Sequence, residues 1–335
     1  MADPVADDAP VIVVGAGPVG LFAALALRAH RVPVVLLEAD PSDRHRAGSR
    51  ALYVHGKSLT LLESTSPGLG SELAANGVLW NVRRTLYRGK QVYAREFPPH
   101  DATRGLPPFT SLRQSETERV LLHACEQAGV DVRWNHPVTE VVTHADGVTV
   151  ATADGATWSG SHVVGADGAR STVRKCTGTS LDGAAAEGFH VVVDVADETQ
   201  RLERVMHYEH PGADGRGVLV VPYTNGFQVD VQSRAGDDPD VIASRREVRR
   251  WLPELVGPTP SERITAISVY RFLQLIADDF TDPHHRILLA GEAAHLFPPF
   301  GARGMNSGFV DARAAADAIA TGRRSPAANA EAVPR

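Results

Sequence analysis

The stretch from Val11 to Glu38 constrains the fold more than any other part of the chain. Gly15-Ala16-Gly17-Pro18-Val19-Gly20 follows a short apolar run, Val11–Val14, and precedes an apolar stretch of helical character at 21–29. A second apolar run, Val34–Leu37, ends at Glu38. Strand, glycine turn, helix and strand make one βαβ unit, the setting in which G-x-G-x-x-G marks a dinucleotide site. Gly15 permits the tight turn, Gly17 lets a pyrophosphate approach the backbone, and Gly20 lets the helix pack on the strand. Pro18 opens the helix, whose free N–H groups and partial positive charge face the phosphates. Glu38 stands 18 residues beyond Gly20, where a carboxylate accepts hydrogen bonds from both ribose hydroxyls and repels a 2′-phosphate. The bound nucleotide is therefore expected to be FAD or NAD, not NADP.

The rest of the chain supports a large α/β protein. Its 335 residues, 43% of them hydrophobic, suffice for two domains. Helical patterns are read at 58–75, broken by Pro67 and Gly68, at 116–128, and at 305–320. Strands are read at 138–143, 147–152, 157–164 and 286–289. A block of antiparallel strands is read at 189–195, 205–209, 217–222 and 227–233. The α/β pattern opens and closes the chain around a strand-rich block. One domain is thus assembled from 10–78, 108–180 and 281–320, with an inserted sheet domain at 79–107 and 181–280. The Ala/Pro-rich tail, 321–335, is expected to be disordered. The net charge of −6 and pI near 6.2 argue against a nucleic-acid partner. No apolar run approaches the roughly 20 residues that span a bilayer, so a soluble cytoplasmic protein is expected. Cys125 and Cys176 have no metal spacing and are read as apolar fillers.

Two later motifs decide between FAD and NAD. These are Val163-Val164-Gly165-Ala166-Asp167-Gly168-Ala169-Arg170-Ser171 and Ile287-Leu288-Leu289-Ala290-Gly291-Glu292-Ala293-Ala294-His295. With the first motif, and with Ser49-Arg50-Ala51 and a helix start at Gln114-Ser115-Glu116, they resemble the single-component flavin aromatic hydroxylases, the p-hydroxybenzoate hydroxylase family. The resemblance covers about 11–320. It implies a Rossmann-like FAD-binding domain with an inserted, mainly antiparallel β-sheet substrate domain, and tightly but non-covalently bound FAD.

Residue by residue, the resemblance gives Asp167 and Gly168 to the Asp-Gly motif that contributes to binding FAD and the reduced nicotinamide nucleotide. It places Arg50 over the FAD pyrophosphate and Gln114 against the flavin-side chain of the cofactor. Gly291 and Glu292 stand where the family has Gly-Asp, whose aspartate holds a ribityl hydroxyl; glutamate keeps the charge but adds a methylene. Apart from the resemblance, the run from Pro298 to Asn306 has its own logic. Prolines stiffen the approach, Gly301 and Gly304 let backbone pass close to a flat ring, and a helix through Met305 and Asn306 points its positive end at the ligand. Helix N–H groups and the cation of Arg303 would stabilise the negative charge of a reduced flavin. His295 is read as a loop-bracing residue.

The activity implied by the resemblance is that of a monooxygenase. NAD(P)H, docking transiently, reduces FAD; O2 forms a flavin C4a-hydroperoxide; and one oxygen passes to a small, usually phenolic, aromatic substrate. His207, Tyr208, Pro222, Tyr223, Gln228 and Tyr270 are the candidates for lining its pocket. Rival readings on the same scaffold are an epoxidase, a Baeyer–Villiger oxygenase, a reductase, or a truncated or non-catalytic FAD-binding protein. A homodimer is compatible with the sequence.

Overall fold

The computed structural model describes residues 9–324 apart from 47, 186–187, 272 and 299–300. Its organising layer is a five-stranded sheet in the order Ile287–Leu289, His162–Gly165, Val11–Val14, Val34–Leu37, Asp131–Arg133. Every pairing in it is parallel. A parallel sheet covered on both faces needs apolar side chains on both, which is why Val11–Val14 is buried at all four positions. On one face, helices Pro18–Ala29, Gln114–Gln127 and Arg303–Arg324 build a core around Phe22 and Phe309, whose rings meet edge to face at 5.4 Å. The other face carries a three-stranded antiparallel sheet, Val138–Thr143, Val148–Thr152 and Thr157–Gly160.

The second large unit is a seven-stranded sheet. Its order is Ile264–Tyr270, His190–Ala196, Gly226–Gln232, Arg216–Tyr223, Glu203–His210, Val82–Tyr87, Lys90–Glu96. All pairings are antiparallel except that between Glu203–His210 and Val82–Tyr87. Alternation along the strands gives the sheet two unlike faces. Val193, Val220 and Val229 point to one face and are covered by Val248 and Leu252 of the helix Arg245–Val256. The opposite face bears Asp194, Gln228, Asp230, Met206 and Arg204, and it meets the first unit: Ser111 Oγ donates to Pro222 O (2.7 Å), and Leu52 packs on Val221 and Tyr223. The architecture is thus α/β, a Rossmann-like domain joined to a mainly antiparallel sheet.

Three details differ from the sequence reading. The run 157–164 is two strands in two sheets. After Gly160 the chain steps across at Ser161, whose N–H donates to Pro10 O (2.9 Å), and enters the parallel sheet. Strand-compatible residues stand on both sides of Gly160-Ser161, which hides such a step. The last helix continues to Arg324, so 321–324 are helical and not disordered; 325–335 lie outside the described residues. Cys125 is a buried filler, its Sγ 3.3 Å from Leu21 O, but Cys176 closes a short helix at the surface and is exposed. Among the described residues no helix is long and apolar enough to cross a membrane.

Candidate cofactor site

The three glycine-containing motifs follow three adjacent strands of the parallel sheet. Gly15, Ala166-Asp167-Gly168 and Gly291 each come just after a carboxyl end, and Glu38 follows the fourth strand. Ligands of open α/β sheets bind in the crevice outside those ends. Gly15 has φ +100°, and a Cβ there would stand 2.6 Å from Ala166 O; at Gly20 a Cβ would stand 1.8 Å from Gly15 O. No side chain fits at either position. Val19, inside the first motif, sits where a Cβ on Gly291 would fall, at 3.0 Å, so the first and third motifs are in contact. Arg174 ties the second to the third, donating to Ala293 O (2.8 Å) and Ala169 O (2.9 Å).

The site fits a dinucleotide. The helix Pro18–Ala29 starts at Gly17 without a side-chain cap, and a Cβ on Gly17 would meet nothing within 4 Å. Its first N–H groups therefore face open space beside the glycine loop, the arrangement that receives a pyrophosphate. Glu38 is buried, with Oε2 accepting from Ala16 N (2.6 Å) and Oε1 from Asp40 N (3.0 Å). Arg44 approaches Oε2 to 2.7 Å, donates to Ala16 O (2.6 Å), and bonds Glu118 (3.1 Å). Arg46 bridges Glu118 and Asp40. This Glu38–Arg44–Glu118 network was missed in the sequence; its only trace there is the charge-rich run after Glu38, 39–46.

The other predicted residues divide by what their side chains do. Gln114 Oε1 accepts from Ala51 N (3.4 Å), its own N–H donates to Ser49 O (3.0 Å), and its Nε2 donates to Glu118 (2.8 Å), so it fastens the Arg50 loop to the network. Arg50 is exposed and left-handed, φ +52°. Asp167 caps the short helix Thr172–Cys176, accepting from Ser171 Oγ (2.5 Å), Thr172 N (2.7 Å) and Val173 N (3.1 Å). Asn306 clamps backbone: Oδ1 accepts from His55 N (2.9 Å), and Nδ2 donates to Tyr53 O (2.8 Å) and Ala302 O (2.7 Å). Arg303 is exposed at the first turn of the last helix; Gly304 and Met305 follow it, and Pro298 precedes Pro299 and Phe300, which lie outside the described residues. His295 is buried and braces the third motif through Asp311 (2.6 Å), whose carboxylate also accepts from Gly291 N (3.0 Å).

A family model described as FAD binding domain matches residues 8–330. The chain belongs to the FAD binding domain family. Its cofactor is FAD, in agreement with the uncapped helix and the buried carboxylate of Glu38. Para-nitrophenol 4-monooxygenase from Pseudomonas sp. (strain WBC-3) is 31% identical over 333 residues, 92% of this chain and 77% of that protein. Rifampicin monooxygenase from Rhodococcus hoagii is 28% identical over 317 residues, 90% of this chain and 62% of that protein. The crystal structure of p-nitrophenol 4-monooxygenase PnpA from Pseudomonas putida DLL-E4 superposes with a TM-score of 0.80 at 25% identity, covering 95% of this chain and 81% of that one. The chain spans about half to three quarters of the length of these and other curated relatives.

Glu292 is exposed at the third motif, on the short turn Gly291–Ala293. A glutamate there reaches a ribityl hydroxyl only by ordering one more torsion than aspartate. Glu292→Asp is expected to bind FAD at least as tightly as the starting protein, and Glu292→Ala more weakly by about 1–3 kcal/mol. FAD dissociation constants of the three proteins in one buffer check this, and equal values for Glu292→Ala and the starting protein would place the carboxylate away from the cofactor.

Proposed function

We propose that this chain is the FAD-bearing part of an NAD(P)H- and O2-dependent monooxygenase that hydroxylates a small aromatic, phenolic molecule. The single observation that carries the reading is a polar sheet face set against the cofactor unit. Ser49, next to Arg50, donates through its N–H to Asp194 Oδ2 (2.7 Å) and through its hydroxyl to Asp194 Oδ1, while Gln228 Nε2 donates to Ser49 Oγ (2.6 Å). A substrate lying between that face and the flavin would be held by one unit and oxidised by the other. The named relatives, monooxygenases of nitrophenol and of rifampicin, support the same reaction class.

The strand register sorts the six lining candidates. Tyr208, Tyr223, Gln228 and Tyr270 share the face with Asp194; His207 and Pro222 belong to the opposite face, with Val205 and Val220. One residue of offset in a strand reverses the direction of a side chain, and the sequence does not show which parity faces inward. When bound, FAD supplies electron transfer and oxygen activation. The chain's part is to orient the aromatic ring, exclude water, and present helix N–H groups and Arg303 to the reduced ring.

The test is NAD(P)H consumption with and without a panel of phenols. Substrate-stimulated consumption matched by oxygenated product is expected. Consumption that yields only H2O2 with every phenol, or a product reduced without oxygen incorporation, would reject the hydroxylase reading.

A further inference from the structure

Two consecutive residues just before the last helix are left-handed, Gly301 at φ +79° and Ala302 at φ +52°. Glycine adopts that conformation freely, whereas alanine does so against its own Cβ. Such a residue persists where its neighbours hold it. The holders come from the short strand Tyr53–His55. Asn306 Nδ2 donates to Ala302 O (2.7 Å) and to Tyr53 O (2.8 Å), while its Oδ1 accepts the backbone N–H of His55 (2.9 Å). The His55 imidazole adds a separate contact, with Nε2 at 2.9 Å from Gly301 O. A carbonyl only accepts, so Nε2 carries the proton and donates. The ring is half-buried and braced edge-on by Tyr53, the centroids 5.1 Å apart.

The imidazole bond sets the direction of a peptide. The Gly301–Ala302 peptide is planar and trans, so its N–H points opposite to its C=O. With Gly301 O turned to His55, the Ala302 N–H is turned away from the strand. The next peptide repeats the arrangement, with Ala302 O held by Asn306 and the Arg303 N–H directed away. The helix they lead into is seated on the cofactor motifs. A Cβ on Gly308 would stand 2.5 Å from the Val19 side chain and 3.1 Å from Gly291 Cα. Its first turn borders open space, since a Cβ on Gly304 would meet nothing within 4 Å.

We infer that His55 is a positioning residue: its Nε2–H, by holding Gly301 O, aims the Ala302 N–H at the flavin and makes the bound ring easier to reduce. This rests on the reading that the start of the last helix faces the reduced ring. His55 touches no reacting atom and acts through the loop. A donor already aimed where negative charge develops needs no reorganisation when the charge arrives. Without the imidazole bond the peptide is free to turn, Ala302 relaxes out of the left-handed region, and ordering the N–H weakens binding of the reduced ring more than of the oxidised one. The scale is that of one neutral hydrogen bond, about 3- to 10-fold in the ratio of the two affinities. For a two-electron couple this is a fall of about 15–30 mV in potential.

The test is the midpoint potential of the flavin in FAD-loaded protein, without substrate, by equilibrium reduction against a reference dye. The dissociation constant of oxidised FAD and the melting temperature of the FAD-free form are measured alongside. His55→Phe keeps a ring against Tyr53 and cannot donate; His55→Gln can place an amide N–H near Gly301 O. His55→Ala and His55→Phe are expected to lower the potential by the amount given, and His55→Gln to keep it. Oxidised FAD binding and melting temperature should change little in His55→Phe, because the backbone bond from His55 to Asn306 does not depend on the ring. A potential lowered in His55→Ala but kept in His55→Phe would overturn the proposal in favour of packing. So would a His55→Gln potential as low as that of His55→Phe, or a lowered potential matched in every variant by lost oxidised FAD affinity and a lower melting temperature, which would make His55 structural. Arg303→Ala separates this proposal from the reading beneath it. If Arg303→Ala lowers the potential and no His55 variant does, His55 fails and the helix reading stands; if none of the four changes it, the helix reading fails as well.

Discussion

Glu38→Ala is expected to weaken FAD binding by on the order of 100-fold or more, beyond what loss of a ribose contact would produce. A ribose contact by itself would be worth about 1–3 kcal/mol. The structure adds a second loss. Glu38 Oε2 also accepts the N–H of Ala16 inside the phosphate loop (2.6 Å) and faces Arg44 at 2.7 Å, with both side chains almost wholly buried. Removing one partner of a buried ion pair costs about 3–5 kcal/mol, because the other charge stays behind. Arg44 would still have Glu118, which moderates the cost. Glu38→Gln keeps an acceptor and should fall between Ala and the starting protein. The check is the FAD dissociation constant of each protein together with the melting temperature of the FAD-free form. An unchanged dissociation constant in Glu38→Ala would show that the carboxylate supports neither the cofactor nor the loop that receives it.

Asp194→Ala should lower stability by about 2–6 kcal/mol, since it strands the N–H and hydroxyl of Ser49 in a buried site at about 1–3 kcal/mol per lost partner. Asp194 is 2% exposed, and Ser49 1%. The same change frees the backbone that holds Arg50 at φ +52°, a conformation that is unfavourable for a non-glycine residue. FAD affinity should therefore fall along with stability. Burial raises the Asp194 carboxyl above its ordinary value despite the donors from Ser49. The folded chain thus holds this proton to higher pH than the unfolded chain does. Its linked stability is fully present below the ordinary carboxyl value and is lost as pH rises through the raised one. Asp194→Asn should flatten that part of the pH–stability curve. Denaturation at several pH values is the measurement, and an Asp194→Ala variant as stable as the starting protein would remove Asp194 from the account.

What the sequence made legible, and what it concealed, follows from the range of the interactions. The first βαβ unit was readable because every determinant is local: the apolar runs, the glycines at fixed offsets, and the acid after the second strand. The three motifs came out on adjacent strands because each carries its own strand-and-turn signature. Short strands were another matter. Tyr53–His55 and Phe109–Ser111 pair with each other across more than 50 residues, and Asp131–Arg133 completes the parallel sheet with three residues; none is long enough to show a period. The site's wiring is also non-local. Asp194 meets Ser49 across 145 residues, and Arg44 meets Glu118 across 74. No spacing rule relates such pairs. Asp167 and Asn306 were found as residues, yet their side chains bond backbone in this structure, one capping a helix and the other clamping a strand. A motif match identifies a position and leaves open what its side chain touches.

Residues from both ends of the chain are expected to assemble one FAD site. Its most direct test is the FAD content of purified protein, by absorbance of the flavin released on denaturation against protein concentration. A yellow protein with roughly one FAD per chain is expected, or a colourless one that takes up added FAD to that ratio. A chain that stays colourless and leaves added FAD unbound would contradict it.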